Sequence, residues 1–187
     1  MTAARLPPHG TANLSARLLR CGNQDFRGTT CQAARMQAER IIQIIADWAK
    51  AQSTILAVAL VGSHARGSAG AGSDIDLVLI VTNPRAFRAE TTWLDTIGWN
   101  TVGARPQKWQ DEDYGELCSR RLWLENNRGE IEFGFASPSW ADVNPLDPGT
   151  RCVIADGCRI LHDPRKILRR LCDAVSGSGC CEACWKT

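Results

Sequence analysis

Two short apolar segments, at residues 55–61 and 74–81, place the strongest constraint on how this chain folds. The first is a continuous apolar run that ends at Gly62, which is typical of a strand buried on both faces. The second alternates in its first half, becomes continuously apolar, and is broken at Asn83-Pro84. We therefore predict two buried strands joined by a passage rich in glycine and serine.

The rest of the sequence predicts helices and hairpins around these strands. Apolar residues at three- and four-residue steps between residues 31 and 50 indicate an amphipathic helix, and Pro84 and Asp163-Pro164 are typical of helix starts. Turn sequences at 126–129 and Asp156-Gly157 predict two β-hairpins. The expected helices span 31–50, 84–97 and 163–175; the expected hairpin strands span 121–124, 131–135, 152–154 and 159–161; residues 98–116 are expected to be a loop with one short helix. The expected fold class is α+β, with a mixed central β-sheet flanked by helices.

The composition disfavours several classes of protein. Nine cysteines in 187 residues are too dilute for a secreted disulfide scaffold, and no apolar signal segment of ~7–15 residues stands at the start of the sequence. No run reaches the ~18 apolar residues of a membrane span. A net charge of +2 disfavours a dedicated nucleic-acid binder. We expect a cytoplasmic protein with reduced thiols and with neither a membrane nor a nucleic acid as its partner.

The length suits one domain. Residues 1–30 are basic and show no sustained period, so a disordered leader is expected there, and the domain is expected at 31–175. Residues 176–187 are expected to be a flexible tail that carries Cys180, Cys181 and Cys184. A structural zinc ion needs four ligands, and no second cysteine pair or histidine stands near these three.

The first feature with chemical meaning is the sequence Gly62-Ser63-His64-Ala65-Arg66-Gly67-Ser68, where the first strand ends. Small residues at such a turn let backbone N–H groups and the Ser63 hydroxyl approach an anion closely. The spacing from Gly62 to Gly67 is that of a P-loop, but Ser68 stands where that motif requires lysine, so we reject a P-loop. The turn indicates phosphate binding, and a purely steric need for glycine stays open as the alternative.

The second feature is Asp74-Ile75-Asp76 at the start of the next strand. Side chains two positions apart on a strand share one face, so both carboxylates are expected about 6.6 Å apart on that face. Two like charges beside an apolar strand repel each other, and a divalent cation would compensate them. Mg²⁺ suits this arrangement because it takes one or two carboxylates together with substrate phosphates. A solvated strand end, with Ser73-Asp74 as turn residues, stays open as the alternative.

In combination, Gly62-Ser63, Ala65-Arg66-Gly67 and Ser73-Asp74-Ile75-Asp76-Leu77 resemble the signature of the nucleotidyltransferase superfamily, which has the fold of DNA polymerase beta. The resemblance is strongest to small bacterial members related to aminoglycoside and antitoxin-type nucleotidyltransferases. It covers residues 55–81 and extends less closely over the hairpin to Phe135. It implies the minimal nucleotidyltransferase fold.

The resemblance also implies a third carboxylate on a later strand, for which the sequence offers Glu130 and Glu132. Glu130 adjoins the turn at Gly129, where water can solvate it. Glu132 lies between Ile131 and Phe133 in mid-strand, where a charge needs a partner. We therefore select Glu132, although many family members have aspartate at this position.

The activity implied by the resemblance is metal-dependent transfer of a nucleoside monophosphate from a nucleoside triphosphate, first of all ATP, with release of pyrophosphate. The implied catalytic and metal-binding residues are Asp74, Asp76 and Glu132, with Mg²⁺ or Mn²⁺ as the metal. The implied nucleotide-binding residues are Gly62, Ser63 and Arg66.

The acceptor is left open as a small molecule or a protein. Too little chain follows Val175 for the additional helical domain of larger members, so a homodimer or another protein could complete the acceptor site. The alternative function is a non-catalytic nucleotide-binding or regulatory module of the same fold, acting on a partner protein as an antitoxin does. A metal-dependent phosphohydrolase is disfavoured because no histidine stands with aspartate at metal-ligand spacing.

Overall fold

The structure, a computed structural model, describes residues 28–177. Its strands are β1 (Ile55–Val61), β2 (Ile75–Val81), β3 (Pro106–Asp113), β4 (Leu117–Leu124), β5 (Glu130–Ala136) and β6 (Cys158–His162). Its α-helices are α1 (Gly28–Lys50), α2 (Gly62–Arg66), α3 (Pro84–Ala89), α4 (Thr92–Asp95), α5 (Pro148–Ala155) and α6 (Ile167–Gly177). Short 3₁₀ turns occupy Trp99–Val102, Glu125–Asn127 and Pro138–Ala141. The predicted leader up to residue 27 and the predicted tail from residue 178, with its three cysteines, lie outside the described residues.

The six strands form one sheet in the order β3-β4-β5-β2-β1-β6. β2 and β5 are parallel, and the other neighbouring strands are antiparallel. The sheet is therefore mixed and the fold is α+β, as expected from the sequence. None of the helices in residues 28–177 is long and apolar enough to cross a membrane.

The two faces of the sheet bury different sets of side chains. Alternate strand residues such as Leu60, Leu77 and Phe133 pack in one cluster with the apolar side of α1. The intervening residues of β1 and β2 pack with Leu168 and Leu171 of α6 in a second cluster. Side chains alternate along a strand, so the residues of β2 and β5 that lie between members of the first cluster face the α6 side.

The predicted hairpin around residues 126–129 is confirmed. β4 and β5 are antiparallel, with Leu122 opposite Ile131 and Trp123 opposite Glu130. Both strands are longer than predicted: β4 begins at Leu117, and β5 runs from Glu130 to Ala136. One of the added residues of β4, Ser119, lies at the candidate site described below.

The prediction of a loop over residues 98–116 is wrong in its second half. The expected short helix is the 3₁₀ turn at Trp99–Val102, but β3 follows it as an eight-residue strand. β3 is an edge strand with mostly exposed side chains, such as Trp109, so its sequence lacks the apolar alternation of a buried strand. β3 is a strand because its backbone is hydrogen-bonded to β4. The residues of β3 alone give no sign of that pairing.

The predicted strand at residues 152–154 is also wrong, because these residues lie in α5. Pro148 stands at the start of that helix, and the Asp147 carboxylate accepts a hydrogen bond from the Thr150 N–H at 2.7 Å. This is an N-cap, which favours helix over strand. The predicted second strand exists as β6, but it pairs with β1 and not with a hairpin partner.

The predicted helix over residues 84–97 is interrupted at Glu90, whose backbone is extended. The guanidinium of buried Arg120 donates to the carbonyls of Phe87, Arg88 and Glu90, and these hydrogen bonds favour a break because they satisfy carbonyls at the end of α3. Of the other two predicted helices, the first starts three residues earlier than predicted, and the last starts four residues later and ends two residues later. α1 begins at Gly28, and α6 begins at Ile167 because the Asp163 carboxylate accepts from the Ile167 N–H.

Candidate active site

Asp76 and Glu132 lie directly opposite each other on β2 and β5, at the centre of the sheet. Both side chains project on the α6 side, and adjacent strands are about 4.8 Å apart. Glu132 is only 8% exposed. The structure therefore brings together two of the three carboxylates selected from the sequence.

Gly62 lies against the carboxylate of Asp76. A Cβ atom at position 62 would stand 2.8 Å from Asp76 Oδ2, and the φ angle of Gly62 is +68°, in the left-handed region. Val61 is the residue paired with Asp76 across β1 and β2, so the turn begins beside the carboxylate. Glycine is required here both for the backbone conformation and for the close approach.

Ser63 is the second residue of α2 and is buried. The turn is held by a hydrogen bond from the Ser68 N–H to the Ser63 carbonyl at 3.0 Å, and Gly67 ends the helix with a φ angle of +75°. Gly62 and Ser63 are thus fixed in a short turn at the edge of the carboxylate pair. The helix begins at Gly62, directly after the last residue of β1.

Asp74 precedes the first residue of β2 and is partly exposed. β2 therefore begins one residue later than predicted. The negative charge of Asp74 acts on Asp76, where it opposes ionisation. The three carboxylates of the sequence prediction are therefore close enough to interact electrostatically.

The pKa of Asp76 is raised to about 7, first by burial and then by the charges of Glu132 and Asp74. The positive charges of Arg121 and Arg66 act in the opposite direction. Burial and like charges both penalise a second negative charge, so Asp76 binds a proton at mild pH unless a cation replaces it. A metal ion or a cationic group bound here would reduce this penalty on the negative charge of Asp76.

Glu132 accepts two hydrogen bonds from β4. The Ser119 hydroxyl donates to Oε1 at 2.5 Å and the Arg121 guanidinium donates to Oε2 at 2.7 Å. Arg121 is the residue opposite Glu132 in the antiparallel register. Sequence reasoning did not select Ser119 or Arg121, although an arginine in the strand that pairs with a buried glutamate was a usable signal once the hairpin register was known.

Arg66, selected for the triphosphate, is paired elsewhere in the described chain. Its guanidinium donates to the Asp156 carboxylate and, at 2.8 Å, to the Asp156 carbonyl. Gly157 allows this approach, because a Cβ atom there would stand 2.6 Å from Arg66 Cγ. The arginine therefore ties α2 to the connection between α5 and β6.

Glu130, the competing third carboxylate, is opposite Trp123 and partly exposed at the start of β5. The strand-position argument that favoured Glu132 over Glu130 agrees with this placement. Trp123 lies on the same sheet face as Glu132, with the Lys108 ammonium 4.4 Å from the centre of its ring. Trp140, by contrast, is buried in the cluster beneath α6, so it is a core residue.

The donor set suits a hard divalent cation only in part. Within residues 28–177 no group of three or more aspartate, glutamate, histidine or cysteine side chains is arranged as a metal site. The carboxylate oxygens of Asp76 and Glu132, with Asp74 nearby, match the oxygen ligands of Mg²⁺, which completes its shell with substrate phosphates and water. The raised pKa of Asp76 is the structural observation that favours a cation at this place.

Comparison with known proteins gives one family. The sequence profile described as streptomycin adenylyltransferase matches residues 35–130, which is just over half of the chain. The match includes the Gly62-Ser63 turn, both aspartates and the strand that carries Arg121. No curated protein matches the chain.

Proposed function

The chain belongs to the streptomycin adenylyltransferase family, and from this premise we propose that it transfers AMP from ATP to an acceptor with release of pyrophosphate. The observation that carries the proposal is the direct pairing of Asp76 with Glu132 on adjacent strands, with Gly62 packed against Asp76. This pairing concentrates negative charge beside a turn of small residues. Such a site would suit a divalent cation bound together with a triphosphate, because the cation offsets the negative charges of both the carboxylates and the phosphates.

The donor nucleotide lies over the turn at the end of β1. The backbone at Gly62 and the Ser63 hydroxyl contact the triphosphate, as a turn of small residues at a strand end allows. Arg66 contributes positive charge to the same region while it remains paired with Asp156.

In this proposal Asp76, Glu132 and Asp74 would hold Mg²⁺ or Mn²⁺. When bound, the metal neutralises the charge on the phosphates and lowers the pKa of a bound nucleophile. The protein itself contributes the carboxylates and holds them in position. Asp76 must lose its proton before it can act as a ligand, because a neutral carboxylic acid is a poor one.

Glu132 receives the proton of the acceptor hydroxyl. Its two hydrogen bonds from Ser119 and Arg121 hold the carboxylate in one orientation toward Asp76. The guanidinium of Arg121 also places a positive charge beside the acidic cluster. Arg121 is therefore a positioning residue in this proposal, and Glu132 is the group that contacts the acceptor.

The acceptor approaches across β4 and β5. On this face Arg121 and Trp123 are partly exposed next to Glu132, and Trp123 offers an aromatic surface. A small molecule with a hydroxyl group can reach Glu132 from here. Streptomycin is the first acceptor to test, because the family profile is named for its adenylylation.

The test is incubation of the full chain with Mg²⁺ and each α-labelled nucleoside triphosphate. Streptomycin, other polyhydroxylated amines and the protein itself serve as acceptors, and both pyrophosphate and the labelled adduct are measured. We expect pyrophosphate with ATP and one acceptor, and none with the Glu132→Gln variant, for which Glu130→Gln is the matched control.

Two outcomes would decide against this proposal. Calorimetric binding of ATP without transfer to any acceptor would favour the alternative of a nucleotide-binding regulatory module. Equal transfer by Glu132→Gln and by the unaltered chain would remove Glu132 from the chemistry.

A further inference from the structure

Two cysteines outside the candidate active site have their sulfur atoms in contact. The Cys172 thiol lies 3.5 Å from the Cys158 sulfur. Cys158 begins β6 and Cys172 lies in α6, and both side chains are partly buried against the apolar cluster beneath that helix. The two residues thus join an edge strand of the sheet to the helix that covers it.

The surrounding structure holds each cysteine in place. Cys158 is paired with Val61 of β1, and Cys172 follows the fully buried Leu171. A disulfide bond has a sulfur–sulfur distance of about 2.05 Å, so the two atoms must approach by only about 1.5 Å. We expect side-chain rotation to supply a movement of this size.

We propose that Cys158 and Cys172 are an oxidisable pair that closes to an internal disulfide in the presence of a small-molecule disulfide such as oxidised glutathione. One cysteine loses its proton and attacks a glutathione sulfur, which forms a mixed disulfide and releases one glutathione. The second cysteine loses its proton and attacks the protein sulfur of that mixed disulfide, which releases the second glutathione. Two protein thiols are oxidised by two electrons, and one glutathione disulfide is reduced to two thiols.

Burial affects both the rate at which this pair is oxidised and the equilibrium between its reduced and oxidised forms. Burial and the adjacent Cys172 raise the pKa of the Cys158 thiol to about 12. A thiol with a high pKa is almost entirely protonated at neutral pH. Because the thiolate is the form that attacks a disulfide, oxidation of this pair is slow. At equilibrium, however, the reduced form gains nothing from thiolate stabilisation, and the apolar disulfide suits the buried position.

The cross-link would have a defined structural effect. It closes a loop that contains the connection from β6 to α6, and it restricts the unfolded chain. It also secures the start of β6, where Gly157 packs on Arg66 and on the carbonyl of Gly62. Oxidation would therefore stabilise the part of the sheet that borders the glycine-serine turn.

Other cysteines lie on the same tryptic peptides as Cys158 and Cys172, so the test needs a variant that lacks them. Trypsin leaves Cys158 on a peptide with Cys152, and it leaves Cys172 on a peptide with the three tail cysteines. A full-length background variant in which Cys152, Cys180, Cys181 and Cys184 are serine leaves one cysteine on each of these two peptides. This variant is equilibrated with oxidised and reduced glutathione, its free thiols are alkylated, and its peptides are mapped by mass spectrometry without reduction.

We expect the Cys158–Cys172 cross-linked peptide in oxidised samples and a rise in Tm of about 5–10 °C that a reductant reverses. Cys158→Ser and Cys172→Ser should each abolish both effects, whereas Cys118→Ser, a partly buried cysteine of β4, should retain them. The proposal is overturned if both thiols are recovered alkylated from folded, oxidised protein. It is also overturned if Cys158→Ser shows the same rise in Tm. If a serine variant fails to fold, the peptide map of the background variant decides alone.

Discussion

Asp76 and Glu132 face each other across the parallel pair of strands at the centre of the sheet. The neighbours of the two carboxylates differ in kind. Asp76 is close to Gly62 and Asp74, and its pKa is raised, whereas Glu132 accepts hydrogen bonds from Ser119 and Arg121. The site therefore holds one carboxylate from which an incoming cation can displace a proton into the solvent, and one that is already fixed in orientation.

Replacement of Asp76 by asparagine should stabilise the protein while abolishing transfer. The pKa of Asp76 is raised to about 7 from 3.8, so the folded state binds a proton more tightly than the unfolded state between about pH 4 and pH 7. The stability of the unaltered chain therefore falls as pH rises through this window. Asp76→Asn should raise the free energy of unfolding by about 4 kcal/mol at pH 8 and by less than half as much at pH 5.

Urea unfolding at both pH values measures this difference, with exposed Asp142→Asn as the control that should show no such gain. A destabilised Asp76→Asn variant at pH 8 would mean that the carboxylate is structural. Activity is measured on the same samples.

Glu132→Gln should reduce kcat by about 10²- to 10⁴-fold, because it removes the proton acceptor while keeping the size of the side chain. Glu130→Gln should retain kcat within threefold, because Glu130 is partly exposed opposite Trp123. Initial rates of pyrophosphate release compare the two. Equal losses in both variants would contradict the assignment of Glu132.

Arg121→Gln should lower kcat with little change in KM for ATP, because Arg121 holds Glu132 and not the nucleotide. Arg121→Lys should recover part of kcat, since lysine keeps the charge but loses the planar guanidinium geometry. In a double-mutant cycle, Arg121→Gln should cost little when Glu132 is already glutamine. Additive losses across that cycle would show that Arg121 acts independently of Glu132.

Gly62→Ala should impair activity far more than Gly67→Ala, although both glycines have positive φ angles. A Cβ atom at position 62 meets Asp76 Oδ2 at 2.8 Å, whereas one at position 67 meets nothing within 4 Å. Both variants carry the cost of a left-handed backbone, about 1–2 kcal/mol. Only Gly62→Ala should also displace the carboxylate, and kcat measured beside urea unfolding separates the two effects.

Arg66→Ala should raise KM for ATP about tenfold, the effect of losing one charge-assisted hydrogen bond to phosphate. Asp156→Ala removes the partner of Arg66 and leaves the guanidinium available, so its KM should stay the same or fall. Nucleotide-dependent initial rates of both variants give the comparison. Matching increases in KM would indicate that the Arg66–Asp156 pair has only a structural role.

The sequence alone determined the central strands, the glycine-serine turn between them and the hairpin of β4 and β5. In each case the relevant signal is local: a continuous apolar run, a cluster of small residues, or a turn sequence between two short strands. The choice of Glu132 over Glu130 also followed from position within a strand. The catalytic and metal-binding roles of Asp74, Asp76 and Glu132 remain predictions.

Only the tertiary structure decided which residues surround those carboxylates. β3 lacks apolar alternation because it is an exposed edge strand, and pairing with β4 is what makes it a strand. Arg121 and Ser119 reach Glu132 through a strand register, and Arg66 reaches Asp156 across 90 positions of sequence. The physical reason is that hydrogen bonds, ion pairs and the contact of Cys158 with Cys172 depend on distances between segments, which no local pattern of residues contains.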